Sequence, residues 1–405
     1  MRVLIVNTSS HQGGAAIAAS RLMNALCKEG VDAQMLTRRR KFPAFYWERF
    51  VIWVHNHFSR KNLFAVSIAN AGIDITKTKV FRQADIIHLH WINQGFLSLK
   101  GLEKIFKSGK PIVITMHDMW YCTGICHHAY TCKAYEEECK NCRFLCHPSD
   151  YDLSKKVFYA KNNIIRNARV SIVAVSTWLA DKAERSALLK EKPITVIPNT
   201  ISFSQFSMKD KAESRKELGL PNKKILIFGA AKLDDPIKGF GLLAEALQQL
   251  LRTEESYKDK LHLVLFGNIK SDRKMFFAQL PISYTYFGIV DGSQLNSLYS
   301  ASDVVVSSSY YETFGQTLIE AQACGCIPVS WNNSGQADII RHKDNGYLAE
   351  YLSIESLVEG IQWALADGQE AISREKLRED VYERYSESII AKRYISLYYK
   401  LHNNE

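Results

Sequence analysis

Apolar positions follow two spacings along this chain, and the spacings take turns. Residues 2–7 (RVLIVN) form a short, β-branched apolar run, the mark of a buried strand. A polar loop, 8–14, follows. Residues 15–29 then read as a helix closed by Gly30, and 31–37 as the next strand. Further strands are expected at 84–91, 111–118 and 170–176, with helical stretches between them. The second half repeats the style, with strands expected at 224–229, 262–267, 284–288, 303–308 and 327–331. Between the first two of these, Leu243, Leu247 and Leu250 give a helix over 239–252 one apolar face. In the tail, 387–402, Ile390, Tyr394, Leu397, Tyr398 and Leu401 recur at helical spacing, so this helix is expected to pack back on the body. Strand and helix in alternation predict an α/β protein, with a parallel sheet covered by helices in each half.

The chain's 405 residues suit two such domains. The boundary is expected near 191–202, around Pro193 and Pro198, between domains 1–190 and 191–380, with a C-terminal helix within 381–405. The ordinary composition, 46% hydrophobic and 23% charged, excludes wholesale disorder, collagen and coiled coil. No apolar run approaches the ~18 residues of a membrane span, and the start lacks the core and cleavage site of a signal peptide. A cytoplasmic protein is expected. Its charge is uneven. Residues 1–190 hold 28 Lys and Arg against 14 Asp and Glu, and residues 191–405 hold 24 against 28. A basic half suggests an anionic partner. Nucleic acid is disfavoured, because no helix-turn-helix, zinc-finger or single-strand-binding signature accompanies the charge.

The richest stretch is 307–329, SSSYYETFGQTLIEAQACGCIPV. A strand ends in a polar loop, and a helix begins near Phe314-Gly315. Glu312 stands in the loop and Glu320 in the helix, with seven residues between them. Gly315 admits a ligand close to the backbone, and a helix N-terminus offers N–H groups to an anion. An ionised carboxylate can take two donors at once, which suits hydroxyl groups. Phosphate-binding backbone beside two carboxylates therefore suits a ligand with phosphates and a polyol, a nucleotide sugar.

This stretch resembles the retaining glycosyltransferases of family 4. Their GT-B fold has two Rossmann-like domains facing each other across a cleft. Their signature stands here as Glu312, seven residues, then Glu320-Ala321-Gln322-Ala323-Cys324-Gly325-Cys326-Ile327-Pro328-Val329. Residues 196–206 are similar to the family's interdomain segment, with Thr200 where glycine is usual. Lys232 and Lys238-Gly239 match its basic pair, Lys232 standing where Arg, with its bidentate grip, is commoner. Ser334-Gly335, Asp338-Ile339 and Asn345-Gly346-Tyr347-Leu348 match later landmarks, and Gly13-Gly14 matches the glycine loop over the donor phosphates.

The resemblance implies metal-independent transfer with retention at the anomeric carbon, and hence no catalytic cofactor. The implied donor is a nucleotide sugar. The implied acceptor is a glycan or lipid-linked hydroxyl, in surface polysaccharide or glycolipid synthesis. Glu312, Lys238 and His117 form the implied catalytic set. Lys232 and Lys238 would hold the diphosphate, assisted by the backbone at Gly13-Gly14 and Thr313-Phe314-Gly315. Glu312 would hold sugar hydroxyls, and Glu320 the ribose diol. His117 ends a buried strand, where ligands bind in such sheets, and the resemblance turns it toward the donor sugar; a structural histidine is the other reading. His88 and His90 alternate on a strand and share a face, either lining the acceptor side or serving as structural imidazoles. A phosphorylase of the same fold would need a cofactor lysine and a phosphate site that the sequence does not display. The rival of another class is a non-catalytic protein that binds carbohydrate or nucleotide sugar.

Two features stand apart. Six of the nine cysteines crowd into 122–146: Cys122, Cys126, Cys132, Cys139, Cys142 and Cys146. Cys139-x2-Cys142 has metal half-site spacing and Cys126-x5-Cys132 is a looser partner, so these four could hold a structural zinc. Reduced thiols, disulfides and, more weakly, an iron–sulfur cluster are the other readings. Cys27, Cys324 and Cys326 read as core thiols. Separately, Arg38-Arg39-Arg40-Lys41 precede Phe42, Phe45, Tyr46, Trp47, Phe50, Trp53 and Phe58, with Arg60, Lys61 and Phe64 beyond. Aromatics beside basic residues suit an anionic membrane surface, here the inner face of the cell membrane. A half-buried helix pair is the competing reading, because the apolar face is not clean.

Overall fold

The computed structural model describes residues 1–38 and 43–403. Residues 39–42 of the basic aromatic segment therefore lie outside the described residues. The chain divides into two units, residues 1–199 with the C-terminal segment from Ile390, and residues 200–389. The first division falls within the segment 191–202 expected for it, while the expected end of the second domain at 380 falls short. A strand at 194–196 still belongs to the first sheet, and the helix Arg374–Tyr385 is tied to the second unit. Arg374 donates to the Cys324 carbonyl at 2.9 Å and Arg378 to that of Ala323 at 2.8 Å.

The first unit carries β1 (Arg2–Val6), β2 (Asp32–Leu36), β3 (Ile86–Leu89), β4 (Ile112–Met116), β5 (Val170–Ala174) and β6 (Ile194–Val196). They form one sheet in the order β2-β1-β3-β4-β5-β6, parallel throughout. Continuous apolar strands such as VLIV and IVITM follow from burial on both faces. The helix Gly14–Lys28 covers one face with Ala19, Leu22, Ala25 and Leu26. The last helix, Glu387–His402, sets Ile390, Tyr394 and Tyr398 into the same core.

The second unit carries β7 (Lys224–Lys232), β8 (Leu261–Asn268), β9 (Tyr284–Tyr286), β10 (Val304–Ser307), β11 (Ile327–Trp331) and β12 (Tyr347–Ala349). Their order is β12-β11-β10-β7-β8-β9, again all parallel. The expected leucine face of the helix Phe240–Thr253 lies in its core. The sequence pattern passes over β6 and β12. Each is three residues long and sits at a sheet edge; β9 is as short and also at an edge, but lies where a strand was expected.

Both sheets reverse strand order once, between β1 and β3 in the first unit and between β7 and β10 in the second. In open parallel sheets, ligands bind beyond the carboxyl ends of the strands that flank such a reversal.

Candidate active site

In the second unit, β7 ends at Lys232 and leads to a 3-10 turn, Pro236–Lys238. Asp235 caps that turn by accepting from Ile237 N at 3.2 Å. Gly239 then takes φ 68°, and a Cβ on it would stand 1.9 Å from the Ser308 carbonyl oxygen. Only glycine lets the turn after β7 lie this close to the end of β10. Ser308 Oγ donates to the Gly239 carbonyl at 2.8 Å, and Tyr310 N donates to that of Ile237 at 2.9 Å. The two strand ends flanking the reversal are thereby stitched together.

That stitching brings Lys238 Nζ to 2.7 Å from Glu312 Oε1, with side chains 29% and 21% exposed. Ser309 Oγ donates to the same carboxylate oxygen at 2.9 Å. The Glu312 backbone is fixed as well: its N–H donates to Ser334 Oγ at 3.1 Å, and its carbonyl accepts from Gly335 N at 2.8 Å. Gly315, at φ 113°, is the N-cap of the helix Gln316–Ala323. A glycine there brings no side chain of its own to the first N–H groups of the helix, which can meet an anion. Phe314 is buried edge-on against Tyr385, and Thr313 precedes it in the same loop. Glu320 lies on the helix and is 6% exposed. Lys232 is exposed beside Asp234. Burial pushes the Asp234 carboxyl up, but hydrogen bonds from Ser271 and Lys270 and the Lys232 charge bring it below its usual range.

In the first unit, Gly13 and Gly14 follow β1, with open space where their side chains would be. Past the ends of β3 and β4, His90 Nδ1 and His117 Nε2 share a hydrogen bond of 2.8 Å, their rings stacked at 5.1 Å. His88 packs 4.2 Å from His90. Its Nδ1 meets Tyr398 Oη at 2.7 Å and its Nε2 meets Thr115 Oγ1 at 2.7 Å. This corrects the placement of His88 on the acceptor side: it is fully buried, and both ring nitrogens are spent inside the unit. His90 is buried too, and faces His117. Burial lowers all three imidazoles, His117 to about 4, His88 to about 3 and His90 well below its ordinary value. The smaller effect of Asp118 opposes the shift at His117. Asp118 accepts from Trp91 Nε1 and pairs with His127 Nδ1, each at 2.7 Å. Burial pushes its carboxyl up, yet His127 and the Trp120 amide hold it near 2.

The cysteine-rich insert packs onto the helices Pro43–His55 and Leu153–Ile165. Cys126 bridges to Val66, and Ile125 and Leu145 join Ile52, Val66 and Val157 in one apolar cluster. Lys161 is buried beneath it, donating to the Trp120 and Thr123 carbonyls at 2.6 and 3.0 Å, and burial lowers its ammonium to about 7. All nine cysteines are free. Burial raises Cys122 and Cys126, and lifts Cys139 to about 11 and Cys142 to about 12. Among the described residues, no group of three or more His, Cys, Asp or Glu is placed to hold a metal ion.

The second unit thus joins Lys238 to Glu312 and the first joins His90 to His117, while His88 serves the core. Ser309 and Ser334, which position Glu312, were missed as functional residues. For Ser309 the usable signal was the Ser-x-x-Glu spacing, which sets a hydroxyl beside a carboxylate in one turn.

Comparisons with known proteins bear on the family and the fold. The model described as glycosyl transferases group 1 matches residues 210–384, and that described as glycosyltransferase family 4 matches residues 12–205. An uncharacterized glycosyltransferase of Methanocaldococcus jannaschii is 26% identical over 360 residues, 84% of this chain and 90% of that protein. Sucrose-phosphate synthase from Thermosynechococcus elongatus aligns over 100% of both chains with TM-score 0.70 at 19% identity. The Anabaena protein HepE, solved with UDP and glucose, aligns over 98% of this chain and 99% of its own with TM-score 0.62 at 16% identity.

Proposed function

The chain belongs to the family 4 type of glycosyltransferases, with the GT-B fold, and we propose that it moves a sugar with retention from a nucleotide-diphosphate donor to a hydroxyl of a glycan or lipid-linked acceptor. The observation that carries this reading is the Lys238–Glu312 pair at 2.7 Å, held at the strand-order reversal near the helix N-terminus at Gly315. The ammonium and the helix end suit a diphosphate, and the carboxylate suits sugar hydroxyls. Relatives of this fold are solved with UDP, which supports a nucleotide-linked donor.

In the proposed reaction, the bond from the anomeric carbon to the diphosphate oxygen breaks as the bond to the acceptor oxygen forms on the same face. The departing diphosphate takes the acceptor's proton, so the protein supplies no base. Its task is electrostatic and geometric. Lys238 and Lys232, with the N–H groups near Gly315, stabilise charge gathering on the diphosphate. Glu312 orients the sugar, and Glu320 the ribose. We assign Gly13-Gly14 to the phosphates and neutral His117 to the sugar. The reading carries no metal in the reaction.

The experiment is a panel of nucleotide sugars scored for binding and for slow hydrolysis without acceptor, with proton NMR of the product's anomeric configuration. Lys238→Ala is expected to lower turnover about 10²–10³-fold, the cost of losing one donor to a developing oxyanion. Combined with Glu312→Gln, the losses should not add, because the two groups touch. Turnover near that of the unmodified chain in Lys238→Ala would refute the assignment. Binding without turnover of any donor would make the chain a binding protein.

A further inference from the structure

The helix Pro43–His55 is built inside out. Its buried residues include Glu48 and Arg49, with Ile52. Tyr46, Trp47 and Phe50 lie on the opposite side and are each at least 49% exposed, with Val54 one turn further on the same face. The turn beyond adds exposed Phe58 and Phe64. The rings touch in series: Trp47 to Phe50 at 5.8 Å, Phe50 to Trp53 at 6.0 Å, and Trp53 to Phe58 at 4.8 Å.

The polar side holds this arrangement. Glu48 Oε1 accepts from Ile68 N and Ala69 N at 2.8 and 2.9 Å, and Oε2 pairs with Arg49 at 3.0 Å. Arg49 in turn donates to the Val66 carbonyl at 3.0 Å and to that of Leu63. Rolling the aromatic face inward would unpair a buried carboxylate and a guanidinium, so the face stays out. Contiguous exposed apolar surface of this kind marks an interaction site.

Charge selects the partner. Residues 38–66 hold seven Lys and Arg and a single acid, Glu48, which is buried and paired. Exposed Arg60 and Lys61 lie between the exposed rings of Phe58 and Phe64 in the chain. An aromatic surface whose own segment exposes basic residues and no carboxylate among the described residues matches a sheet of anionic headgroups over hydrocarbon. No described helix is long and apolar enough to cross a membrane, which fits a helix lying flat for about 20 Å. We propose that this face docks on an anionic lipid bilayer. Its rings enter the headgroup boundary, and Arg60 and Lys61 meet the headgroups.

Location gives the docking a use. Arg38 donates to the Gln94 carbonyl, and Gly95 packs against the backbone of Ala44 and Phe45. The helix therefore starts beside the loop after β3, at the carboxyl edge that bears His90 and His117. Under the functional reading above, a bilayer-borne acceptor would be delivered to that edge. The docking itself does not depend on that reading.

The test is co-sedimentation of the full chain with vesicles of phosphatidylcholine alone and of phosphatidylcholine with phosphatidylglycerol. Binding is expected to the anionic vesicles only and to weaken with salt. Arg60→Gln with Lys61→Gln should weaken it about 30-fold, the equivalent of two charges at ~1 kcal/mol each. Trp47→Ser with Phe50→Ser should weaken it about tenfold or more, and both changes are exposed, so the fold survives them. Equal binding to both vesicles, binding to neither, or full binding by either double variant would overturn the proposal. So would self-association in the absence of lipid that the Trp47/Phe50 variant abolishes, since a second copy would then own the face. Transferase activity plays no part in the readout, so failure here leaves the functional reading standing.

Discussion

The two units share a sheet plan and furnish it with opposite chemistry. At its strand-order reversal the second unit places an ion pair, Lys238 with Glu312, open to water on both partners. Beside its own reversal, past the ends of β3 and β4, the first unit stacks imidazoles, and burial keeps them uncharged near neutral pH. A half-exposed ion pair costs little to rearrange, because water screens each partner as they separate. A buried imidazole stack cannot take up charge without a large desolvation cost. The second edge therefore suits a ligand that brings charge. The first suits neutral hydrogen bonding to a sugar or an acceptor hydroxyl.

Acid separates the two units most strongly. His88, His90 and His117 are held below the ordinary histidine value of 6.5, two of them at about 3 and about 4. Above pH 6.5 the folded and unfolded chains are both neutral at these positions, and the histidines do not affect stability. Below it the unfolded chain binds protons that the fold refuses, so stability falls as the pH drops from 6.5 toward 4. Among the described residues of the second unit, His262 is lowered too, chiefly by burial with Lys223 adding to the shift. The expected outcome is that hydrogen exchange in β3 and β4 speeds up across pH 6.5 to 4 well before exchange in β7 and β10. Equal loss of protection in both sheets would end the contrast.

A substitution should do the reverse. Asp303, buried at the head of β10, pairs with Lys211 at 2.7 Å and Arg215 at 2.8 Å and accepts from Ile225 N at 2.7 Å. Asp303→Ala strands two cations and an amide and should destabilise the second unit by about 3–5 kcal/mol. Denaturant unfolding followed in each sheet should show the first unit unmoved.

The same contrast governs what could be read before folding. The second unit's chemistry lies in consecutive residues, Glu312 to Val329, so its spacing is visible in the chain. Lys238 belongs to it through Gly239, whose need for glycine also leaves a local trace. The first unit's chemistry is assembled from far apart. His88 meets Tyr398 across 310 positions and Thr115 across 27, and nothing local distinguishes a core histidine from a ligand at a strand end. Alternation alone therefore leaves His88 and His90 between an acceptor-side and a structural role. The inverted helix was hidden for a related reason. Phe50-Val51-Ile52-Trp53-Val54 is apolar all round, and only the pairing of Glu48 with distant amides decides which side is inside.

The smallest predicted effect asks whether that long-range network holds the last helix in place. Tyr398→Phe keeps the ring and its packing but removes the hydroxyl on His88 Nδ1, leaving a buried ring nitrogen unpaired. Such a group costs about 1–3 kcal/mol. Tyr394→Phe is the control: its hydroxyl lies 2.9 Å from Thr115 Oγ1, which keeps His88 Nε2 as a partner, so the cost should be nearer 0.5–1.5 kcal/mol. Both should appear in the first unit's denaturation midpoint and leave the second unit's alone. If the two variants match each other and the unmodified chain, apolar contacts of Ile390, Tyr394 and Tyr398 suffice to hold the helix. The imidazole stack would then owe its neutrality to burial alone, and any change in His117 chemistry in Tyr398→Phe would have to come from movement of that helix rather than from a lost hydrogen bond.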